Sequence, residues 1–156
     1  MRVHKAFRYE LRPNQGQADL LIRHAGTARF AWNWALAERK KALEARKAGL
    51  DAKVPNAITQ HRTLNALKKT DFPWMYEVSK CAPQEALRDL DQAFRNFFQK
   101  RSRFPRFKKK GLHDSFTLTG SIQVFPKHVK LPRLGKIRTK EDTAKFKGRI
   151  LSATVS

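Results

Sequence analysis

Residues 100–110 read K-R-S-R-F-P-R-F-K-K-K, with seven Lys or Arg, two Phe, one Pro and no acid in eleven positions. Side-chain cations at that density neutralise phosphates and displace the counterions condensed on a nucleic acid. Lys100, Arg101, Arg103, Arg106, Lys108, Lys109 and Lys110 find no acid within the stretch, so they call for an anionic partner. Phe104 and Phe107 stand either side of Pro105, and two uses are open to them. They can stack on unpaired bases, each contact worth about 1–3 kcal/mol, or they can anchor this basic strap to a core.

Two other basic sets are weaker signals. Arg39, Lys40, Lys41, Arg46 and Lys47 sit among Glu38 and Glu44, where ion pairs along a helix surface explain them equally well. Lys127, His128, Lys130, Arg133, Lys136, Arg138 and Lys140 form the third set. The whole chain carries 34 Lys+Arg against 13 Asp+Glu, a net charge of +21. That excess points to a polyanion such as RNA or DNA. A membrane surface fits less well, because no single helix carries the charge. No apolar run approaches the ~18 residues of a membrane span, and the N-terminus lacks the apolar core of a signal peptide. Cys81 is the single cysteine, which excludes a disulfide framework and a cysteine-based zinc site. The expected location is the cytoplasm.

Catalytic chemistry has little support in these 156 residues. Metal-assisted phosphoryl transfer needs several carboxylates converging on an ion. Asp89 and Asp91 are two apart on a predicted helix and face different ways, and Asp91 with Arg95 reads as a surface pair. His4, His24, His61, His113 and His128 have no ligand spacing, and no phosphate loop or nucleophile elbow is present. No active site and no cofactor are expected in the chain as it stands.

The strap must be held by what precedes it. Leu87, Leu90, Phe94, Phe97 and Phe98 make one apolar stripe of a helix, with Arg88, Gln92, Arg95 and Asn96 opposite. Ser79 is its expected cap, and Pro83 falls in the first turn, where a missing N–H costs nothing. Upstream, residues 2–12 alternate as a half-buried strand. Asn14 and Gln17 form a capping box for a first helix that Gly26 ends, and Thr27 caps a second running to Gly49. That outline is a helix-turn-helix. Asn56 caps a shorter helix, and Asp71-Phe72-Pro73-Trp74 is the break after it. Beyond Gly111 the period becomes two, giving strands over Ser115–Thr119, Ile122–Phe125, Val129–Leu131, Lys136–Thr139 and Arg149–Val155. The predicted fold is α+β: a helical domain over 14–110 inserted into a small antiparallel β-barrel made of 1–13 and 111–156. The last strand still alternates at Ser156, so the barrel is expected to be incomplete and the chain reads as cut short.

The blocks G-T-A-R-F-A-W-N-W-A-L (26–36), P-W-M-Y-E-V-S-K (73–80), A-L-R-D-L-D-Q-A-F-R-N-F-F (86–98), R-F-P-R-F-K-K-K (103–110) and V-K-L-P-R-L-G-K-I (129–137) resemble, in order, the N-terminal half of the TnpB/OrfB family. These are transposon-associated, RNA-guided DNA nucleases related to type V CRISPR effectors. The resemblance implies a recognition domain set into a wedge-like barrel, holding a guide RNA from the transposon end and reading a short motif in double-stranded target DNA. It implies motif-reading roles for Lys80, Gln84, Thr117 and Thr119. Lysine can meet a phosphate or a purine edge, and an amide can bond adenine twice. With Arg95, the strap residues, Lys130 and Arg133, these are the candidate nucleic-acid-binding positions. The family's RuvC-like nuclease, with its catalytic acids and zinc element, is expected beyond Ser156. The rival readings are a piece of an active nuclease, a nuclease-less transcriptional repressor, and a non-functional transposon remnant. The resemblance also implies a prokaryotic, nucleoid-associated protein.

Overall fold

Two capping boxes set where the first helices begin. The Asn14 side chain accepts the Gln17 N–H at 2.8 Å while Gln17 Oε1 accepts the Asn14 N–H at 3.1 Å. Asn56 and Thr59 repeat the arrangement at 3.0 Å in each direction. The computed structural model describes residues 2–143 and 148–156, and its elements run β1 (Leu11–Arg12), α1 (Gln15–Lys47), α2 (Ala57–Leu67), a 3₁₀ turn (Pro73–Glu77), α3 (Cys81–Phe98), β2 (Phe116–Thr119), β3 (Gln123–Phe125), β4 (His128–Leu131), β5 (Gly135–Thr139) and β6 (Ser152–Val155).

The most extensive contact is between α1 and α3. Ala28, Ala31 and Ala35 let the helices approach, and Leu36, Leu87, Leu90 and Phe94 fill the seam. Full burial of each leucine stabilises by about 1.5–3 kcal/mol. The core continues into the strands through Phe116 and Leu118 of β2, and through Leu131 and Ile137 of β4 and β5. Strands pair in the order β1-β5-β4-β3, all antiparallel, and β2 pairs separately with β6. Among the described residues these sheets do not close into a full barrel.

The helix expected to break at Gly26 does not break; α1 is continuous over 33 residues. Thr27, read as a cap, instead donates its hydroxyl to the Arg23 carbonyl at 2.8 Å within the helix. A glycine costs a helix interior only about 1 kcal/mol, and the buried seam outweighs that. The N-terminal strand is also shorter than its alternation suggested. Only Leu11 and Arg12 pair, opposite Thr139 and Arg138, and residues 2–8 are exposed. Without a partner strand, alternation alone cannot hold an extended chain.

Of the α3 stripe, Leu87, Leu90 and Phe94 are buried, whereas Phe98 is 64% exposed at the helix end. Ser79 lies one residue outside the cap position, yet its Oγ still accepts the Cys81 N–H at 3.2 Å. Pro83 sits buried in the first turn as expected.

Candidate nucleic-acid interface

The end of α3 aims the strap. Lys100 N–H donates to the Phe97 carbonyl at 2.9 Å and Arg101 N–H to the Asn96 carbonyl at 2.8 Å, a Schellman closure. Lys100 occupies the left-handed position with φ 61°, where glycine is usual.

From there the strap is fixed by its backbone. Trp32 Nε1 donates to the Arg106 carbonyl at 2.8 Å. Asn33 clamps Lys108 from both sides: its Nδ2 donates to the Lys108 carbonyl at 2.9 Å and its Oδ1 accepts the Lys108 N–H at 2.8 Å. Phe104 packs edge-on against Phe97 and Phe94, with centroids 5.1 and 5.3 Å away, so it is an anchor. Phe107 is 48% exposed, with Lys40 Nζ 5.2 Å from its centroid. At the far end Asp114 accepts the Gly111 N–H at 2.9 Å and pairs with Arg29 at 2.9 Å.

These tethers leave the charges free. Lys100, Arg101, Arg103, Arg106, Lys109 and Lys110 are exposed, and among the described residues none has an ion pair or a side-chain hydrogen bond. Lys108 differs: its Nζ lies 4.3 Å from the Trp32 centroid. Desolvation pulls its pKa down, and Asp89 partly opposes that. Arg95 is exposed on the outer face of α3, bonded to Gln92 at 2.6 Å.

A second basic region opens between the helices and the sheets. Lys80, Thr119 and Arg133 line a groove of about 740 Å³, together with Lys68 and Lys69. The Arg133 guanidinium donates to the Tyr76 carbonyl, which draws the turn before β5 against the 3₁₀ turn. Cys81 Sγ lies 3.5 Å from Thr119 Oγ1, tying β2 to the start of α3. Those hydrogen bonds hold the Cys81 thiol below its ordinary pKa although desolvation, the largest influence, pushes the other way. Gln84 is half-buried one turn along α3, and its side-chain amide has no partner among the described residues. Thr117 is not gathered into the groove; its hydroxyl pairs with Thr154 at 2.9 Å across β2 and β6. Lys130 lies outside the lining too, exposed and opposite Lys136 on β5.

Buried His24 holds the groove's helical edge in register. Its Nε2 accepts the Ser79 N–H at 3.0 Å and Nδ1 donates to the Leu20 carbonyl at 2.8 Å, which requires the neutral imidazole. Desolvation lowers its pKa accordingly.

Three residues with large roles are not on the sequence-derived list. Trp32 and Asn33 grip the strap, and only the placement of Asn between two Trp hints at it. Arg39, assigned to a surface set, is 3% exposed. It donates to Asp91 at 2.6 Å and to Gln60 at 2.9 Å, so Asp91 does not serve Arg95. Among the described residues, no three His, Cys, Asp or Glu side chains gather as a metal site would require, and no helix is long and apolar enough to cross a membrane.

Residues 1–48 match a helix-turn-helix domain model of OrfB-type proteins. A candidate RNA-guided DNA endonuclease of Escherichia coli K12, InsQ, is 32% identical over 154 residues, covering 97% of this chain and 37% of that protein. A candidate of the same description from Mycobacterium tuberculosis CDC 1551 is 34% identical over 179 residues, covering 97% and 39%. Another from Streptomyces pristinaespiralis is 36% identical over 109 residues, covering 69% and 26%. The chain therefore spans less than two fifths of the length of these curated relatives. Its TnpB/OrfB-like region, matched by that helix-turn-helix model, folds here around one unbroken helix, α1, and the chain is homologous, over most of its length, to the RNA-guided DNA endonuclease family.

Proposed function

We propose that this chain is a nucleic-acid-binding module that holds a guide RNA from a transposon end and reads double-stranded target DNA in a prokaryotic cytoplasm. Residues 14–110 serve as the recognition part, with the sheets of 1–13 and 111–156 wedged beside it. The observation that carries this reading is the strap: six exposed cations without partners among the described residues, on a backbone fixed by Trp32, Asn33 and Phe104. Such preorganisation lowers the entropy cost of gripping a phosphate chain. Phe107, exposed beside the cations, can stack on an unpaired base. At the groove, Lys80 and Thr119 supply contacts to a duplex edge and Arg133 adds charge, while Gln84, outside the lining, offers its amide from the next turn of α3.

With six to ten phosphates engaged, the log–log salt slope of RNA and duplex affinity is expected at about −5 to −9. Replacing Lys100, Arg101, Arg103, Arg106, Lys109 and Lys110 with Gln flattens it by up to about 5. A wild-type slope shallower than about −2 would sink the proposal. Sequencing RNA recovered with the protein beside its native locus identifies the guide, and RNA unrelated to the element's end counts against that assignment.

A further inference from the structure

Lys68 is a charge without a counterpart. It follows the last residue of α2 and is 6% exposed. Among the described residues its ammonium makes no hydrogen bond and no ion pair, and its one polar contact is the Tyr76 ring, 5.9 Å from Nζ. Desolvation lowers its pKa, Lys80 lowers it further, and no acid opposes them. The side chain is largely buried, but its ammonium is not among the fully shielded unpartnered atoms, of which the described residues show His61 Nε2, so it opens onto the groove. Arg39, by contrast, has Asp91 beside it.

The surroundings of Lys68 repel cations and invite an anion. Lys68, Lys69, Lys80 and Arg133 line the groove, and among the described residues no Asp or Glu does. Ser79, Lys80 and Cys81 bring the N-terminal end of α3 to the same groove, where the helix dipole adds positive potential. Asn65, Ser121 and Thr119 border it with neutral polar side chains. His61 lies close enough for Lys68, Lys80 and Arg88 each to lower its pKa after desolvation, and the acid that reaches the groove's edge, Glu85 near Cys81, is already paired with Arg88 at 3.1 Å.

We propose that this groove is a phosphate-binding site whose central ligand is Lys68, with Lys80 and Arg133 at its rim. It rests on the nucleic-acid reading only for the source of the phosphate, a backbone group of bound DNA or RNA; a free phosphate ion shares the chemistry. Lys68 then stays unpaired in the empty protein so that the phosphate completes it.

The test compares wild type with Lys68→Met, Lys68→Arg and the exposed neighbour variant Lys69→Met. Melting is followed in sodium phosphate and in sodium chloride at equal ionic strength, alongside duplex DNA and RNA affinity. Lys68→Met is expected to melt close to wild type in chloride, because the lost ammonium has no ion pair or hydrogen bond among the described residues. It should also bind nucleic acid about ten- to a hundredfold more weakly, the range for a charged hydrogen bond. Lys68→Arg should retain most of the affinity, and Lys69→Met should change it less than about threefold. A melting rise specific to phosphate, abolished in Lys68→Met, upholds the site even where nucleic-acid binding fails. Weakened duplex or RNA binding without that rise upholds it with a backbone phosphate as source. Unchanged affinity together with no phosphate response overturns it, whatever the salt slope of the strap.

Discussion

In residues 100–110 the backbone is fixed and the charged side chains are left out, whereas between the helices the charged side chain itself is fixed. Asn33 and Trp32 spend their hydrogen bonds on strap carbonyls and one amide, touching no guanidinium. Arg39 instead commits its guanidinium to Asp91 and Gln60, with its Cζ 5.2 Å from the Phe94 centroid. The difference separates cations that build the fold from cations available to a ligand. Sequence distance to an acid does not decide it: Arg39 and Asp91 lie 52 residues apart. The deciding factor is whether folding brings the cation to a carboxylate or turns it to water.

The largest test of this contrast is Asp91→Ala. It strands the buried Arg39 and also removes the acceptor of the Ala57 N–H, bonded at 3.1 Å at the start of α2. Breaking a buried pair from one side costs about 3–5 kcal/mol, read as a lower urea midpoint at unchanged slope. A loss under about 1 kcal/mol would mean the pair is as dispensable as a surface one, and the contrast would fail.

A smaller effect is expected from Asn33→Ala, which removes both bonds to Lys108. Each is worth about 0.5–1.5 kcal/mol, and the loss should be local. Hydrogen exchange at the Lys108 amide should quicken. RNA affinity should fall by about threefold to tenfold as the strap loses its preset shape. Were affinity unchanged while exchange quickened, the strap's charge would matter and its preorganisation would not.

What the sequence revealed follows the range of the forces involved. The first four strands after Gly111 were legible within a residue, because alternation and Gly or Pro turns are local signals, whereas the last, expected from Arg149, begins at Ser152. The capping box at Asn14 and the cap at Asn56 were legible for the same reason. The strap's charge was visible in composition alone, but the anchor role of Phe104 needed Phe94 and Phe97 in place. Lys68 stood in the unremarked run L-K-K-T, and nothing local distinguishes it from Lys69. Only the packing of α2 against α3, with Tyr76 alongside, buries one lysine and exposes the next. Residues 2–12 fail in the opposite direction, with a clear pattern and too little partner strand to satisfy it.

Gly26 is where local and tertiary signals disagree most, so it supports the mildest test. Inside the continuous α1 its φ is not left-handed. A Cβ there would meet Arg29 Nη2 at 3.5 Å, the mobile end of a side chain at ordinary contact distance. Gly26→Ala therefore removes backbone freedom from the unfolded chain without adding strain, and stability should rise by about 0.5–1 kcal/mol. At a turn requiring positive φ, the same substitution would destabilise by more than that gain. The sign of the shift in thermal midpoint thus decides between one long helix and two joined at Gly26. A rise would show that the seam of Ala28, Ala31 and Ala35 against α3 overrides the Gly-Thr break signal, and that the helix reaching Trp32 and Asn33 is rigid enough to hold the strap in place.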